Sequence, residues 1–215
     1  MPPIISIVGK SNSGKTTLVE GLILELKSRG YRVGTIKHTP QEVQFDEPNK
    51  DSWRHIHAGS DATAINSAGQ VVLIKPVNAD ITLDEIVRSF GEDYDIILAE
   101  GFKQDNAPKI EVHRREIASP LSNIKKIIAI ATDEPLETDT RQFSLQDVKG
   151  ITDFIESGFI KPQIERMSLY VNNALIPLSA FPRDFMFNVL LAMIATLKGV
   201  GDVQSIDLSI RKEPK

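Results

Sequence analysis

One stretch near the start of the chain decides the fold, and it reads Ile4-Ile5-Ser6-Ile7-Val8-Gly9-Lys10-Ser11-Asn12-Ser13-Gly14-Lys15-Thr16-Thr17. Its second part matches the pattern G-x-x-x-x-G-K-[ST] without a mismatch, and its apolar first part predicts a buried strand. Apolar residues then recur at helical spacing over residues 16–29, and Gly30 is typical of a helix end. A strand, a glycine-rich turn and a helix in this order predict a phosphate-binding loop.

The residues of this loop have predicted roles in binding a nucleotide. The glycines let the backbone curl so that N–H groups point at phosphate oxygens, and the following helix favours the same anion. Lys15 is predicted to reach the β- and γ-phosphates, and the Thr16 hydroxyl is predicted to bind Mg²⁺. A turn that binds nothing is the alternative. The predicted nucleotide-binding residues of the loop are Gly9, Lys10, Ser11, Asn12, Ser13, Gly14, Lys15, Thr16 and Thr17.

The composition is typical of a globular protein. Of the 215 residues, 41% are hydrophobic and 25% are charged, as in one ordinary domain with a small addition. The net charge of −4 argues against a nucleic-acid partner, and the lack of cysteine excludes disulfides and thiolate metal sites. The first residues lack the pattern of a secretory signal, and the most apolar segment, 185–197, is too short to cross a membrane. We therefore expect a cytoplasmic protein without a membrane partner.

Strands and helices alternate along the first 160 residues, which predicts an α/β domain of the P-loop NTPase type, with a mostly parallel sheet flanked by helices. The predicted strands of this sheet are 4–8, 32–37, 95–100, 109–113 and 127–131. The predicted helices are 16–29, 51–58, 82–90 and 144–155, the last capped by Ser144 or an earlier polar residue. Residues 62–66 and 71–75 are predicted to form a hairpin that interrupts the parallel pattern.

A small C-terminal appendage is predicted for residues 167–213. Strands 169–171 and 175–178 flank a turn, an apolar helix covers about 184–198, and the alternation over 203–210 predicts a third strand. Such a ββαβ unit buries too little surface to be stable alone. We therefore expect it to dock on the main domain, 1–160, or on a second subunit.

Polar residues also follow the predicted strands, at the edge where open parallel sheets bind ligands. Lys37 and His38 end the second strand and are expected to meet phosphate or a second substrate. In the polar loop that follows, Asp46 is a candidate for holding Mg²⁺ through water, with Asp51 as an alternative. A loop that is merely solvated is equally compatible with this sequence.

Two further carboxylates follow apolar strands. Glu100 ends the strand 95–100 in the Walker-B arrangement, so it is the candidate catalytic residue and, with Thr16, a candidate metal ligand. Its alternative role is to cap a turn. Asp133 follows the strand 127–131, where guanine-specific P-loop proteins place a carboxylate that accepts hydrogen bonds from the base. No Asn-Lys-x-Asp motif accompanies Asp133, so a simple turn stays open as an alternative.

Together these segments resemble the MobB family of molybdopterin-guanine dinucleotide biosynthesis adaptor proteins. The resemblance covers residues 3–160 and includes the phosphate loop. Its more specific part is the order of the later groups, which are Ile36-Lys37-His38-Thr39, Asp46, Lys50-Asp51-Ser52, Ala58-Gly59, Glu100-Gly101-Phe102-Lys103 and Pro108-Lys109-Ile110-Glu111-Val112. The chain departs from the family pattern at Pro40-Gln41, Gln44 and Asn49.

The resemblance implies a protein that binds GTP and Mg²⁺, hydrolyses GTP weakly at most, and assists a molybdopterin guanylyltransferase partner. It also implies a homodimer, in which Lys10 reaches the phosphate bound by the other subunit. The sequence shows no dedicated base or arginine finger, so it predicts binding rather than turnover. A P-loop small-molecule kinase is the alternative, with Arg114-Arg115 as its candidate lid arginines. A metal-insertion GTPase is disfavoured by the scattered histidines.

Overall fold

The computed structural model describes residues 1–39, 41, 43–77, 81–91, 93–163, 167–172 and 174–210. The chain divides into two units, Met1–Ile164 and Glu165–Lys215. Across the described ranges, none of the helices combines the length and the apolar character that crossing a membrane requires.

A parallel sheet of six strands forms the centre of the first unit. The strands of this unit are β1 Ile4–Gly9, β2 Val33–Lys37, β3 Thr63–Ser67, β4 Gln70–Ile74, β5 Ile96–Glu100, β6 Lys109–His113, β7 Ile127–Thr132 and β8 Arg141–Ser144. The central sheet has the order β2-β5-β1-β6-β7-β8, and β3 and β4 form a separate antiparallel hairpin. These findings confirm the predicted α/β fold. They also place the phosphate loop after β1, an inner strand of the sheet.

The helices of this unit, apart from the second, pack on the sheet and cover both of its faces. The helices are α1 Lys15–Ser28, α2 Asp51–His57, α3 Leu83–Phe90 and α4 Val148–Ile155, which continues as a π-helix Glu156–Ile160 and a 3₁₀ turn Lys161–Gln163. The apolar stripe of α1 packs with Ile96 and Leu98, whereas α3 packs with Ile97 and Ala99. Since neighbouring strand residues point to opposite faces, the two helices cover opposite sides of β5.

The start of α4 corrects the predicted helix 144–155. Residues Arg141–Ser144 instead form the edge strand β8, which pairs with β7 and buries Phe143. The Asp147 carboxylate accepts a hydrogen bond from the Gly150 N–H at 2.9 Å, so Asp147 rather than Ser144 caps the helix. A strand of four residues is too short to show a clear alternation in the sequence.

The described residues of the second unit form a hairpin and one helix. Strands β9 Leu169–Val171 and β10 Ala174–Ile176 pair antiparallel, and α5 spans Ala180–Ala195, earlier than the predicted 184–198. Pro182 is compatible with this earlier start because the first helical turn tolerates proline. The predicted strand 203–210 is absent from the part of this unit that the structure describes, because no neighbouring strand there satisfies its backbone groups. The described appendage is thus ββα rather than ββαβ.

A cluster of charged side chains ties the end of α1 to the π-helix. Glu156 pairs with Arg29 at 2.5 Å and with Lys161 at 3.0 Å, and it accepts a hydrogen bond from the Tyr31 hydroxyl at 2.9 Å. The contacts with Lys161, Arg29 and Tyr31, in that order of importance, lower the pKa of Glu156 from 4.5 to about 2. Relative to its protonated form, the ionised form of Glu156 is therefore more stable in the folded chain than in the unfolded chain.

Glu156→Gln is expected to lower the free energy of unfolding at neutral pH and to have little effect near pH 2. A depressed pKa stabilises the fold fully only above the unfolded pKa, and this contribution disappears as the pH falls from about 4.5 through about 2. Urea unfolding of both proteins across this range measures the difference. A difference that stays constant with pH would refute this role for Glu156.

Candidate functional site

The loop between β1 and α1 has the backbone of an anion-binding turn. Asn12 has a φ of +63° and Gly14, the residue before α1, has a φ of +97°, so the chain passes twice through the left-handed region. Asparagine and glycine are the residues that adopt this conformation at least cost. Gly14, the N-cap residue of α1, has no side chain to cap the helix, which leaves the first N–H groups of α1 to a ligand or to water.

Gly9 is required by packing as well as by the turn. A Cβ at this position would lie 2.5 Å from the main-chain oxygen of Val112 and 2.6 Å from Ser13 Oγ. Val112 belongs to β6, which pairs with β1 at Gly9 itself. The neighbouring strand therefore leaves no room for a side chain, which the sequence motif alone does not reveal.

Lys15 lies within a group of charged side chains. Its Nζ donates a hydrogen bond to the main-chain oxygen of Lys10 at 2.7 Å. Burial lowers the pKa of Lys15, Glu100 opposes this effect, and Lys103 and Lys37 lower the pKa further. Three ammonium groups therefore act on one region with a single carboxylate among them, which makes the region attractive to anions.

The carboxylate of Glu100 meets the start of α1. Because β5 pairs with β1, the end of β5 lies beside the phosphate loop. The Thr16 hydroxyl donates to the two Glu100 oxygens at 3.2 and 3.1 Å, and Lys37 Nζ lies 3.6 Å from Oε1. The structure thus brings together Thr16, Glu100 and Lys37, three of the residues that the sequence analysis selected.

The Thr16–Glu100 pair fits a Mg²⁺ ion bound with a nucleotide. Both side chains offer oxygen, and Mg²⁺ commonly takes only one or two protein ligands besides phosphate oxygens and water. Within the described ranges, no group of three or more His, Cys, Asp or Glu side chains is placed to hold a metal ion. A metal site made by the protein alone is therefore not indicated there.

Asp46 makes local contacts in the loop before α2. Its Oδ1 accepts hydrogen bonds from the Ser52 hydroxyl and from the Glu47 N–H, both at 2.9 Å. Its Oδ2 is buried and, within the part of the chain that the structure describes, has no hydrogen-bond partner. None of these contacts joins Asp46 to Thr16 or Glu100, so its part in holding Mg²⁺ stays a prediction.

His38 follows β2 and lies beside the chain that leaves β5. Its N–H donates to the main-chain oxygen of Glu100 at 2.9 Å, and its ring centroid is 5.0 Å from that of Phe102. The chain turns here at Gly101 and Phe102, with φ values of +101° and +54°. A positive φ is uncommon for phenylalanine, and such strain is often found at functional sites.

Asp133 follows β7 and is exposed. Its Oδ1 accepts a hydrogen bond from the main-chain N–H of Arg115 at 2.9 Å, which restricts the orientation of the carboxylate. Because β6 lies between β1 and β7 and all three run parallel, Asp133 and the phosphate loop lie at the same edge of the sheet. Its contact with guanine remains a prediction.

Arg114 contacts the phosphate loop, and the sequence did not predict this contact. It follows β6, and its Nε donates to the main-chain oxygen of Ser13 at 3.0 Å. The signal available in the sequence was its place directly after a strand, the same criterion that selected Glu100 and Asp133. The contact with the Ser13 carbonyl does not test the alternative role of Arg114 as a lid arginine of a kinase.

Comparison with known proteins gives a consistent result. The family model of MobB, described as Molybdopterin guanine dinucleotide synthesis protein B, matches residues 4–133. The chain is 40% identical to the molybdopterin-guanine dinucleotide biosynthesis adapter protein of Haemophilus influenzae over 157 residues, which are 72% of this chain and 88% of that protein. A putative adapter protein of Methanocaldococcus jannaschii is 26% identical over an alignment that covers 96% of this chain and 97% of the relative.

Solved structures show the same similarity. A MobB homologue from Bacillus stearothermophilus has a TM-score of 0.57 and 27% identity, covering 74% of this chain and 99% of that chain. Bacillus subtilis MobB also has a TM-score of 0.57, with 30% identity and coverage of 73% and 98%. The matched segment 4–133 includes the phosphate loop, Glu100 and Asp133. By sequence and by fold, this chain belongs to the MobB family.

Proposed function

We propose that this chain is a GTP-binding adaptor that assists a guanylyltransferase partner in attaching GMP to molybdopterin. The proposal rests on one observation. The Thr16 hydroxyl lies 3.1 Å from a Glu100 carboxylate oxygen beside the phosphate loop, and the charge of Glu100 acts on the Lys15 ammonium. The names of the relatives from Haemophilus influenzae and Escherichia coli, both called adapter proteins, support the adaptor role.

The loop and its cations hold the triphosphate. Lys15 exchanges its hydrogen bond with the Lys10 carbonyl for bonds to the β- and γ-phosphates, while loop N–H groups from Ser11 to Lys15 surround the phosphate oxygens. The Thr16 hydroxyl and the Glu100 carboxylate would hold Mg²⁺, Thr16 directly and Glu100 through water. Mg²⁺, when bound, neutralises part of the phosphate charge.

Residues at the other strand ends select and orient the ligands. Asp133 accepts hydrogen bonds from guanine N1–H and N2–H, a donor pair that adenine lacks. Lys37 and His38 contact the phosphates or the second substrate, and Asp46 would help to hold Mg²⁺ through water. The protein acts in the cytoplasm as a homodimer.

Turnover of GTP by the chain alone is slow. Glu100, the candidate for orienting an attacking water, is engaged by the Thr16 hydroxyl and by the Lys37 ammonium. The sequence supplies no dedicated catalytic base or arginine finger, which favours binding over turnover. In the dimer, Lys10 reaches the phosphate of the other subunit, and a Lys10→Ala variant with unchanged affinity and hydrolysis would rule this contact out.

Glu100→Gln is expected to reduce strongly the effect of Mg²⁺ on GTP binding. The neutral amide loses the charge that supports the metal and its waters, so an affinity gain of about tenfold from Mg²⁺ in the wild type is largely lost. Titration of GTP with Mg²⁺ and with a chelator measures the gain. Glu20→Gln, an exposed change on α1, is the control that should keep it. An undiminished Mg²⁺ effect in Glu100→Gln would remove Glu100 from the metal site.

The adaptor role is tested by following GMP transfer from GTP to molybdopterin with a molybdopterin guanylyltransferase at limiting GTP. Adding the wild-type chain should raise the amount or rate of product, whereas adding Lys15→Ala should not. Equal transfer with and without the chain would exclude the adaptor role while leaving nucleotide binding to be judged separately.

A further inference from the structure

Arg114 touches the phosphate loop at two neighbouring residues. Its Nε donates to the main-chain oxygen of Ser13 at 3.0 Å. Its guanidinium also lies against Gly14, where an added Cβ would be 3.4 Å from Nη2 and 3.5 Å from Nε. The side chain is half-buried, so water competes with this contact less than at the surface. The guanidinium is therefore packed on the peptide that joins Ser13 to Gly14.

Fixing one end of a peptide group also fixes the other end. In a planar trans peptide, the carbonyl oxygen and the N–H point in opposite directions. When Arg114 holds the Ser13 carbonyl, the Gly14 N–H is directed to the side of the peptide away from the guanidinium. A charged donor makes a stronger hydrogen bond than a neutral one and polarises the peptide, which strengthens its N–H as a donor.

Gly14 is the loop residue whose orientation depends most on a hydrogen bond from outside the loop. Its φ of +97° places it in a region that glycine enters freely, but glycine is also the residue with the widest choice of conformations. A hydrogen bond from outside the loop that selects one orientation of this peptide reduces the conformational entropy that is lost when a ligand binds. The long side chain of Arg114 supplies this bond from β6, a neighbouring strand of the rigid sheet.

We propose that Arg114 is a positioning residue that fixes the Ser13–Gly14 peptide so that the Gly14 N–H is presented to a bound phosphate. This inference rests on the proposed function, since it concerns how the loop holds the nucleotide. It gives Arg114 a role in binding the phosphates that GTP and GDP share. Loss of the side chain should therefore weaken both nucleotides by the same factor.

Arg115 provides a matched control for charge. Its side chain is 79% exposed and lies 3.7 Å from Glu134, whereas its main-chain N–H is the group that donates to Asp133. Arg115→Ala removes one positive charge next to Arg114 and keeps that main-chain donor. If Arg114→Ala weakens nucleotide binding more than Arg115→Ala does, the additional loss is due to the contacts of Arg114 with Ser13 and Gly14.

The experiment compares the full-length wild type, Arg114→Ala, Arg114→Lys and Arg115→Ala. Equilibrium titrations with Mg·GTP and Mg·GDP are made with and without millimolar methylguanidinium, and the thermal midpoint of each protein is recorded. Arg114→Ala should lose about tenfold in affinity for both nucleotides, and Arg115→Ala less than about twofold. Methylguanidinium should restore part of the loss in Arg114→Ala alone, an effect that general destabilisation would not give.

Each other outcome has a defined meaning. Arg114→Ala with wild-type affinity, or equal losses in Arg114→Ala and Arg115→Ala, would overturn the positioning role while the proposed function stands. A loss of affinity for GTP but not for GDP would indicate that Arg114 contacts the γ-phosphate, and it would also overturn the positioning role. If Arg114→Ala does not fold, Arg114→Lys tests the positioning role instead. Lysine keeps the positive charge but loses the planar guanidinium, so a nucleotide affinity of Arg114→Lys equal to that of the wild type would refute the positioning role. A wild type that binds neither nucleotide would overturn the proposed function together with this inference.

Discussion

Lys15→Ala is expected to weaken the binding of Mg·GTP by about 100-fold or more. The Lys15 ammonium already lies in the loop, 2.7 Å from the Lys10 carbonyl, and in the proposed complex it exchanges this bond for bonds to two charged phosphate oxygens. Each charge-assisted hydrogen bond contributes about 1.5–3 kcal/mol, and about 1.4 kcal/mol corresponds to a factor of ten in affinity. Titration of a fluorescent GTP analogue into the wild type and the variant measures the loss.

The control for Lys15→Ala is Lys27→Ala, an exposed change of the same kind on the same helix. It removes an equal charge near the other end of α1, so its affinity should stay close to that of the wild type. The thermal midpoint of Lys15→Ala should not fall, because alanine is the best helix former. If Lys15→Ala bound GTP as tightly as Lys27→Ala, the loop would not be the nucleotide site.

Gly9→Ala is expected to destabilise the first unit strongly and to abolish nucleotide binding with it. The new Cβ would lie 2.5 Å from the Val112 main-chain oxygen, so β1 or β6 must move, and both are inner strands of the sheet. Overpacking of this kind costs about 1–3 kcal/mol or more. For a chain of this size, each kcal/mol lowers the thermal midpoint by about 2–4 °C. Thermal unfolding followed by circular dichroism measures the fall.

Gly158→Ala is the matched control for Gly9→Ala. Among the described residues, no heavy atom lies within 4 Å of an added Cβ at position 158, and the residue lies in a helical segment. Alanine there should leave the thermal midpoint unchanged or raise it slightly. Equal midpoints for Gly9→Ala and the wild type would show that β1 and β6 are not packed as described.

The sequence predicted the central strands correctly because local composition determines them. The continuous apolar runs in β1 and β5 indicated strands covered on both faces, and Ile5, Ile7, Ile97 and Leu98 are all fully buried. The predicted hairpin of β3 and β4 was also confirmed, and α3 begins with a capping box, a pattern of nearby residues. In the capping box, the Thr82 hydroxyl accepts from the Glu85 N–H, while the Glu85 carboxylate accepts from the Thr82 N–H. Such signals lie within a few residues of one another.

Features that depend on distant partners were not predictable from the sequence. Strand β8 exists because β7 offers it a hydrogen-bonding edge, and the segment 203–210 has no such edge in the described part of the chain. In the site, the contact of Arg114 with Ser13 joins residues 101 positions apart. Local patterns select the residues at strand ends, but only the order of the strands shows which of them meet.

The burial of strand β6 was also not predictable from the sequence. Its alternation of charged and apolar residues is typical of a strand with one exposed face. All five residues are nevertheless buried, because loops supply partners for the charged ones. Lys109 donates to the Ala107 carbonyl at 2.9 Å, and Glu111 accepts from the Leu121 N–H at 2.7 Å. Burial of these side chains follows from the loops that cover them.

The most direct test of a GTP-binding adaptor is an equilibrium competition between GTP and ATP for the wild-type chain with Mg²⁺. We predict that GTP is preferred by at least about tenfold, and that Asp133→Asn reduces this preference, because an amide in place of the carboxylate loses one charge-assisted acceptor for guanine. Equal binding of both nucleotides, or a preference for ATP, would contradict the guanine site at Asp133 and the GTP-dependent role.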